Sequence, residues 1–94
     1  MIIAGREKIA GFQKQHPASA APLNRWIVIT EAARWKTTAD VRATFGSADF
    51  VAGKVVFDIG GNKFRLIAVI SFEVTIVFVQ AVLTHQQYGE GKWK

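Results

Sequence analysis

The sequence of 94 residues contains no cysteine, which excludes disulfide scaffolds and thiolate metal sites. Its 2 prolines form no linker, and no repeat or low-complexity tract divides the chain. The longest apolar stretches, such as VTIVFVQAVL, fall well short of the ~20 residues that a membrane helix needs. We therefore expect one soluble domain over residues 1–94, cytoplasmic, with no membrane segment and no secretory signal.

Acidic residues are also scarce, because 12 Lys and Arg stand against 7 Asp and Glu and give a net charge of +5. The estimated isoelectric point near 10.0 favours polyanionic partners such as nucleic acid. A solvated basic surface without a partner is the simpler alternative. Half of the residues are apolar, which is enough for one modest core in a chain of this size.

The first half of the chain has helical patterns. Apolar residues at helical spacing predict a helix from Arg6 to Gln15, which ends before a proline. Ser19 can cap a second amphipathic helix that runs to near Trp35. In the segment TTADVRATFG, Thr37 and Asp40 have the spacing of a capping box at the start of a third helix.

The second half changes to β-type sequence. The segments KVVFDI, FRLIAVISF and TIVFVQAVL are rich in Val, Ile and Phe and are separated by GGN and FEVT. They predict a meander of three antiparallel strands, with a short edge strand from Ile2 to Ala4. The fold class is therefore α+β, with N-terminal helices packed on one face of a small antiparallel sheet.

Side chains alternate along a strand, so each predicted strand can be divided between two faces. One face is fully apolar and must be covered by the helices; it consists of Val55, Phe57, Ile59, Phe64, Leu66, Ala68, Ile70, Phe72, Val77, Val79, Ala81 and Leu83. On the opposite face the polar groups gather at one end. There we expect Arg65 to lie between Asp58 on one side and Val82 and Thr84 on the other.

The C-terminal segment VLTHQQYGEGKWK places titratable and basic groups beside that end of the sheet. One helical turn over residues 84 to 88 would set His85 and Tyr88 on the same side. The sheet adds Arg65 and Lys63, and the tail adds further cations. The neighbourhood predicted from spacing alone consists of Lys63, Arg65, His85, Tyr88, Lys92 and Lys94.

Three segments, FGSADFV, VVFDIGGNKFRLIAVI and VLTHQQYGEGKWK, resemble the HigB family of bacterial type II toxin-antitoxin toxins. The resemblance covers essentially the whole chain and implies the small RelE-like α+β fold. It further implies an endoribonuclease that cuts mRNA on the translating ribosome, where ribosomal RNA is the neighbour. A cognate HigA-type antitoxin with a helix-turn-helix domain is the expected partner.

Metal-free RNA cleavage needs a base, an acid and fixed positive charge beside the phosphate, and we expect no cofactor. Histidine changes charge near neutral pH, so His85 is the candidate for proton transfer. Arg65 offers a bidentate fork to phosphate, Lys63 adds a point charge, and Tyr88 stacks on a base or shares in proton transfer. The residues predicted to bind the substrate are Lys54, Asn62, Gln80, Lys92 and Lys94.

Three features depart from the family pattern, and one is the segment after His85, which usually includes acidic residues but here has Gln86, Gln87 and Gly89. Relatives commonly carry arginine where this chain has Gln80, and asparagine where it has Asp58. The Asp58 carboxylate could pair with Arg65 and hold it away from a substrate. The alternative function is a non-catalytic module that binds nucleic acid or protein through the same basic face, and substitution of His85 distinguishes the two.

Overall fold

A computed structural model describes all residues, 1–94, and the α+β fold class is confirmed. No helix is both long and apolar enough to cross a membrane. The elements in chain order are β1 (Ile2–Ala4), α1 (Arg6–Gln15), a 3-10 turn (Pro17–Ser19), α2 (Ala20–Ala32), α3 (Thr38–Thr44), β2 (Asp49–Val51), β3 (Lys54–Ile59), β4 (Phe64–Ser71), β5 (Ile76–Thr84) and α4 (His85–Gly89).

The five strands form one sheet in the order β1-β5-β4-β3-β2. The predicted meander of β3, β4 and β5 is confirmed, and so is the short edge strand β1. The sheet is mixed rather than antiparallel throughout, because β1 runs parallel to β5 with Ile2 beside Ile76. A parallel neighbour requires a long connection, and here the chain from α1 to β4 provides it. The short strand β2, beside β3, was not predicted from the sequence.

The helices follow the predicted pattern, with two differences. The second helix ends at Ala32 rather than near Trp35, and Ala33 is already extended. Trp35 is nevertheless buried, and its indole nitrogen donates to the Thr44 hydroxyl at 2.9 Å, which ties the loop to α3. Ser19 makes no capping bond to α2; its hydroxyl donates instead to the carbonyl of His16 at 2.6 Å and closes the 3-10 turn.

The main core lies between the helices and one face of the sheet, as predicted. Trp26 of α2 packs edge-on against Phe57 of β3, with ring centroids 5.4 Å apart. Aromatic pairs in this geometry add to the stabilisation that burial provides. The core cluster consists of Ile3, Ile9, Phe12, Leu23, Trp26, Trp35, Val41, Ala48, Val55, Phe57, Ile59, Phe64, Leu66, Ala68, Val77 and Val79.

A β-bulge interrupts the pairing of β4 with β5. Ile67 pairs with Ala81 and the next residue, Ala68, pairs with Val79, so Gln80 is an extra residue in β5. An extra residue reverses the alternation of every side chain that follows it. The last four residues of β5 therefore point to the opposite faces from those that they would have in a regular strand.

The bulge makes the predicted division of faces wrong after Gln80. Val82 pairs with Leu66 and packs against the main core, whereas Leu83 pairs with Arg65 on the other face. The prediction had placed Leu83 toward the helices and Val82 away from them, because it assumed uninterrupted alternation. The same reversal applies to Ala81 and Thr84.

The opposite side of the sheet, called here the helix-free face because helices α1 to α3 all pack on the other side, has a smaller apolar centre. Val56 and Ile67 are paired across β3 and β4 and are buried, yet they do not belong to the main core. The C-terminal segment lies on this side of the sheet. Helix α4 packs against β4 and β5, and the Trp93 carbonyl accepts a hydrogen bond from Lys54 of β3.

Candidate functional site

Arg65 stands at the centre of the polar end of the helix-free face. It is only 7% exposed. Its register partner in β3 is Asp58, and Nε lies 3.0 Å from the carboxylate oxygen Oδ1. Nη1 donates to the carbonyl of Phe64 at 3.1 Å, and Nη2 donates to Oδ1 of Asn62. Nη2 also lies 3.5 Å from Nδ1 of His85. Most of the five guanidinium N–H groups are therefore directed at protein atoms.

The turn between β3 and β4 brings Asn62 to this guanidinium. Ile59 and Phe64 close the pair of strands, and the predicted turn at GGN is confirmed. Gly60 and Gly61 both have left-handed φ angles, 63° and 70°. Glycine adopts this conformation without the strain that a β-carbon would add. These two glycines thus let Asn62 fold back onto Arg65.

His85 is placed by the strand that precedes it and by the helix that it begins. Because of the bulge, Leu83 and His85 follow the helix-free face, and the His85 backbone nitrogen donates to the Lys63 carbonyl at 3.0 Å. The predicted helical turn is confirmed as α4. Thr84 and Gln87 form a capping box, with bonds of 3.1 and 3.0 Å, that fixes its first turn.

The exposed imidazole of His85 meets Arg65 through Nδ1. A guanidinium only donates hydrogen bonds, so this contact is a hydrogen bond only when Nδ1 is the acceptor. The neutral tautomer that fits the contact carries its proton on Nε2. The contact engages the Nδ1 side of the ring and leaves the Nε2 side for another group.

Tyr88 completes the cluster from the same side of α4. The Arg65 guanidinium carbon lies 5.2 Å from the centre of its ring, within the range of a cation–π contact. The other ring against Tyr88 is Trp93, stacked at 5.1 Å with an interplanar angle of 14°. Asn62, Arg65, His85 and Tyr88 are thus brought together as one group, called here the Arg65 cluster.

The remaining predicted residues lie around this cluster at different distances. Lys63 is exposed in the β3–β4 turn, and its side chain forms no hydrogen bond or ion pair. Lys54 is bound to the Trp93 carbonyl at 2.8 Å, and the Lys94 amine lies 5.8 Å from the Trp93 ring. Lys92 is exposed beside Trp93.

Gln80 is not part of the group. It lines a shallow groove of about 320 Å³ against helix α1, together with Glu7, Lys8 and Gln15. It precedes Leu83, the register partner of Arg65, by three residues, or roughly 10 Å of strand. The structure therefore separates Gln80 from the other predicted residues.

Sequence reasoning overlooked two features that shape this site. The capping box of α4 was readable as Thr84 followed three residues later by Gln87, the same type of signal that identified α3. The contact of Lys54 with a backbone carbonyl has no such signal. No group of three or more His, Asp or Glu side chains is arranged to hold a metal ion.

The fold and the site together define a small α+β protein in which one end of the sheet presents a histidine, a tyrosine and exposed lysines around a buried arginine. Residues 19–91 match the family model described as HigB_toxin, RelE-like toxic component of a toxin-antitoxin system. The match covers most of the chain, and the protein belongs to this HigB toxin family. The resemblance and RelE-like fold predicted from the sequence are thereby confirmed.

Individual relatives agree with this family. The chain is 32% identical over 57 residues to a protein of Escherichia coli K12 described as mRNA interferase toxin HigB. Proteins of Escherichia coli O157:H7 and Shigella flexneri, each described as mRNA interferase HigB, match at the same identity. The matched stretch covers 57% of this chain and 55% of the relative, so the chain spans about half the length of these curated relatives.

Proposed function

We propose that this protein is the toxin of a type II toxin-antitoxin system and a metal-independent endoribonuclease that cleaves mRNA on the translating ribosome. The observation that carries the proposal is the contact between Arg65 and Nδ1 of His85 at 3.5 Å, with Tyr88 against the same guanidinium. This arrangement combines a proton-transfer group with fixed positive charge. The family and the names of the relatives supply the substrate class.

The reaction requires the RNA 2′-hydroxyl oxygen to attack the neighbouring phosphorus while the 5′-oxygen of the next nucleotide leaves. A proton departs from the first oxygen and another reaches the second. His85 moves one of these protons at Nε2, since Nδ1 is held by Arg65. Tyr88, whose phenol is within the same cluster, orients a base or assists the second transfer.

Arg65 acts in this proposal mainly as a positioning residue. Its donors are directed at Asp58, Asn62 and His85, so it does not offer the free bidentate fork expected from the sequence. Its charge still lies beside the reacting groups and favours a phosphate there. Direct contact with phosphates falls to the exposed cations Lys63, Lys92 and Lys94.

The partners follow from the family and the charge. A net charge of +5 favours a polyanion such as mRNA together with ribosomal RNA. We infer that a HigA-type helix-turn-helix antitoxin neutralises the toxin in the cytoplasm. The single domain over residues 1–94 is the unit to which the antitoxin would bind.

Induced expression of the wild type and of His85→Ala tests the proposal. The wild type should arrest growth and produce defined ends in cellular messages, whereas His85→Ala should lose at least about 100-fold of the cleavage, as is typical of a lost general acid or base. His16→Ala is the control, because His16 is the other histidine and stacks on Phe12 away from the site. Equal cleavage by wild type and His85→Ala would refute the assignment.

RNA binding measured with the same two proteins distinguishes the endoribonuclease from the non-catalytic binding module. RNA binding by phosphate contacts depends strongly on salt and should survive the His85→Ala substitution. A wild-type protein that binds RNA in this manner but leaves all messages intact is a binding module. Retained binding with lost cleavage in His85→Ala supports the endoribonuclease.

A further inference from the structure

The last residues of the chain fold back over the helix-free face. The C-terminal strap, defined as residues 90 to 94, contains Trp93, which was not among the predicted site residues. The Trp93 ring stacks on Tyr88 at 5.1 Å, and its indole nitrogen donates to the Tyr88 carbonyl at 3.0 Å. The backbone carbonyl of Trp93 accepts a hydrogen bond from Lys54 at 2.8 Å. Trp93 is therefore connected to α4 and to β3 at once.

We propose that Trp93 is a positioning residue that holds Tyr88 against the Arg65 guanidinium, with Lys54 as its anchor on the sheet. The role in cleavage rests on the proposed function. The Tyr88 ring contacts Arg65 at 5.2 Å and Trp93 at 5.1 Å, so it cannot turn away without breaking both contacts. A tyrosine fixed in this manner presents its hydroxyl at one place in the site.

The local sequence explains why the strap closes here. Gly91 has a left-handed φ of 73°, a conformation that glycine adopts at the ends of helices. Its backbone nitrogen donates to the Tyr88 carbonyl at 3.1 Å, and the Lys94 nitrogen donates to the Gly91 carbonyl at 3.4 Å. The Tyr88 carbonyl thus receives both the Gly91 amide and the Trp93 indole, which satisfies a free end of α4.

The role of Lys54 differs from the one expected from the sequence. It was predicted to bind the substrate, but its half-buried side chain is directed at the Trp93 carbonyl. A lysine hydrogen bond to a carbonyl in partly buried surroundings is charge-assisted and stronger than a neutral one. Lys54 thereby links the start of β3 to the strap rather than offering an unengaged cation.

The first test measures the strap without any cleavage assay. Trp26 and Trp35 are 1% and 3% exposed, so the half-buried Trp93 can be distinguished by its indole N–H signal in ¹⁵N NMR, assigned by its loss in Trp93→Phe. In the wild type this N–H should exchange slowly with solvent, and Lys54→Met should accelerate the exchange about tenfold. Lys14→Met, the same charge change on the exposed side of α1, is the control and should leave it unaltered.

The second test measures cleavage of an RNA substrate. Trp93→Ala should lower kcat about tenfold with KM changed by less than about twofold, because the Trp93 ring orients Tyr88, whereas the phosphate contacts come from the lysine side chains. Trp93→Phe retains the stacked ring and should recover most of the rate. A change confined to KM would show that Trp93 binds substrate directly and would overturn the positioning role.

The two tests can contradict the two proposals independently of each other. A wild-type protein that cleaves no RNA refutes the proposed function, and the indole exchange alone then decides whether the strap holds Tyr88. If the Trp93 indole N–H exchanges as fast as in a free peptide, or if Lys54→Met does not change its exchange, the proposed positioning role of Trp93 is refuted even when the enzyme is active.

Discussion

The two faces of the sheet bury their side chains by different means. On one face the helices cover a continuous apolar surface that includes Leu66, and little there is polar. On the helix-free face, Ile67 and Val56 are buried without a layer of helices α1 to α3 over them, and a buried arginine with its partners stands next to them. The first face determines the fold, and the second uses the rigidity of the same strands to hold a cluster of functional side chains.

The bulge at Gln80 determines which residues at the end of β5 face the main core and which face the Arg65 cluster. Before it, Val77 and Val79 point into the main core; after it, Val82 takes over that role and Leu83 turns outward. His85 then follows Leu83 onto the face that carries Arg65. Bulges are often found beside active sites, where they redirect a side chain.

The largest expected effect compares one fully buried residue from each face. Leu66→Ala should lower the free energy of unfolding by about 3 kcal/mol, because the helices and the sheet cannot close around the cavity. Ile67→Ala should cost less, about 2 kcal/mol, because Ile67 lies outside the main core, on the face without a packed helical layer, where the surroundings can relax into the space. Urea unfolding of both variants measures the difference. An equal or larger cost at Ile67 would mean that the helix-free face is packed as rigidly as the face under the helical layer.

Much of this arrangement could be predicted from the sequence, because strong local patterns determine it. The bounds of α1, the capping box of α3 and the turn at GGN follow from residue types at fixed spacings. The closeness of Arg65 to Asp58 follows from a short connection between two strands. Equally, the approach of His85 and Tyr88 to Arg65 follows from one helical turn at the end of a strand.

The bulge could not be predicted in this way. Ala81, Val82 and Leu83 are all apolar, so the sequence reads the same whichever of them points inward. A pattern with a period of two detects a change of face only where polar and apolar residues alternate. The parallel pairing of β1 and the contact between Lys54 and a backbone carbonyl depend on tertiary packing, which leaves no local pattern.

The ion pair between Asp58 and Arg65 distinguishes the helix-free face from the face that the helices cover. Asp58→Asn keeps the shape of the side chain but removes the charge that faces Arg65 at 3.0 Å, and the free energy of unfolding should fall by about 2 kcal/mol. Asp49→Asn makes the same charge change at an exposed position of β2 and should cost little. Urea unfolding compares the two, and equal stabilities would show that the pair contributes nothing to the fold.

Smaller effects on stability and cleavage are expected from the two capping boxes, one at the start of α3 and one at the start of α4. Thr37→Ala should destabilise the protein by about 1 kcal/mol and leave RNA cleavage unchanged, because the hydrogen bonds of this capping box do not involve the Arg65 cluster. Thr84→Ala loosens the helix that carries His85 and Tyr88, so it should lower cleavage about threefold with a smaller loss of stability. Thermal unfolding and cleavage rates of both variants make the comparison. The contrast fails if Thr37→Ala reduces cleavage as much as Thr84→Ala.

The smallest effect is a pH dependence of the stability, and it arises only at the capping box of α3, on the side of the sheet that the helices cover. The hydrogen bond from the Lys36 backbone nitrogen at 2.8 Å, with that from Thr37 at 3.2 Å, lowers the pKa of Asp40 below its ordinary value of 3.8. A carboxyl whose pKa is lower in the folded state stabilises the protein above the unfolded pKa. That contribution is lost as the pH falls through the folded pKa.

The box at Thr84 ends in Gln87, which does not titrate in this range. Asp40→Asn should therefore lower the melting temperature slightly at pH 6, and the difference from the wild type should disappear as the pH falls below 3.8. Gln87→Ala is the matched control, whose difference from the wild type should be the same at both pH values. A melting-temperature difference for Asp40→Asn that stays constant down to low pH would show that the Asp40 charge has no part in the cap.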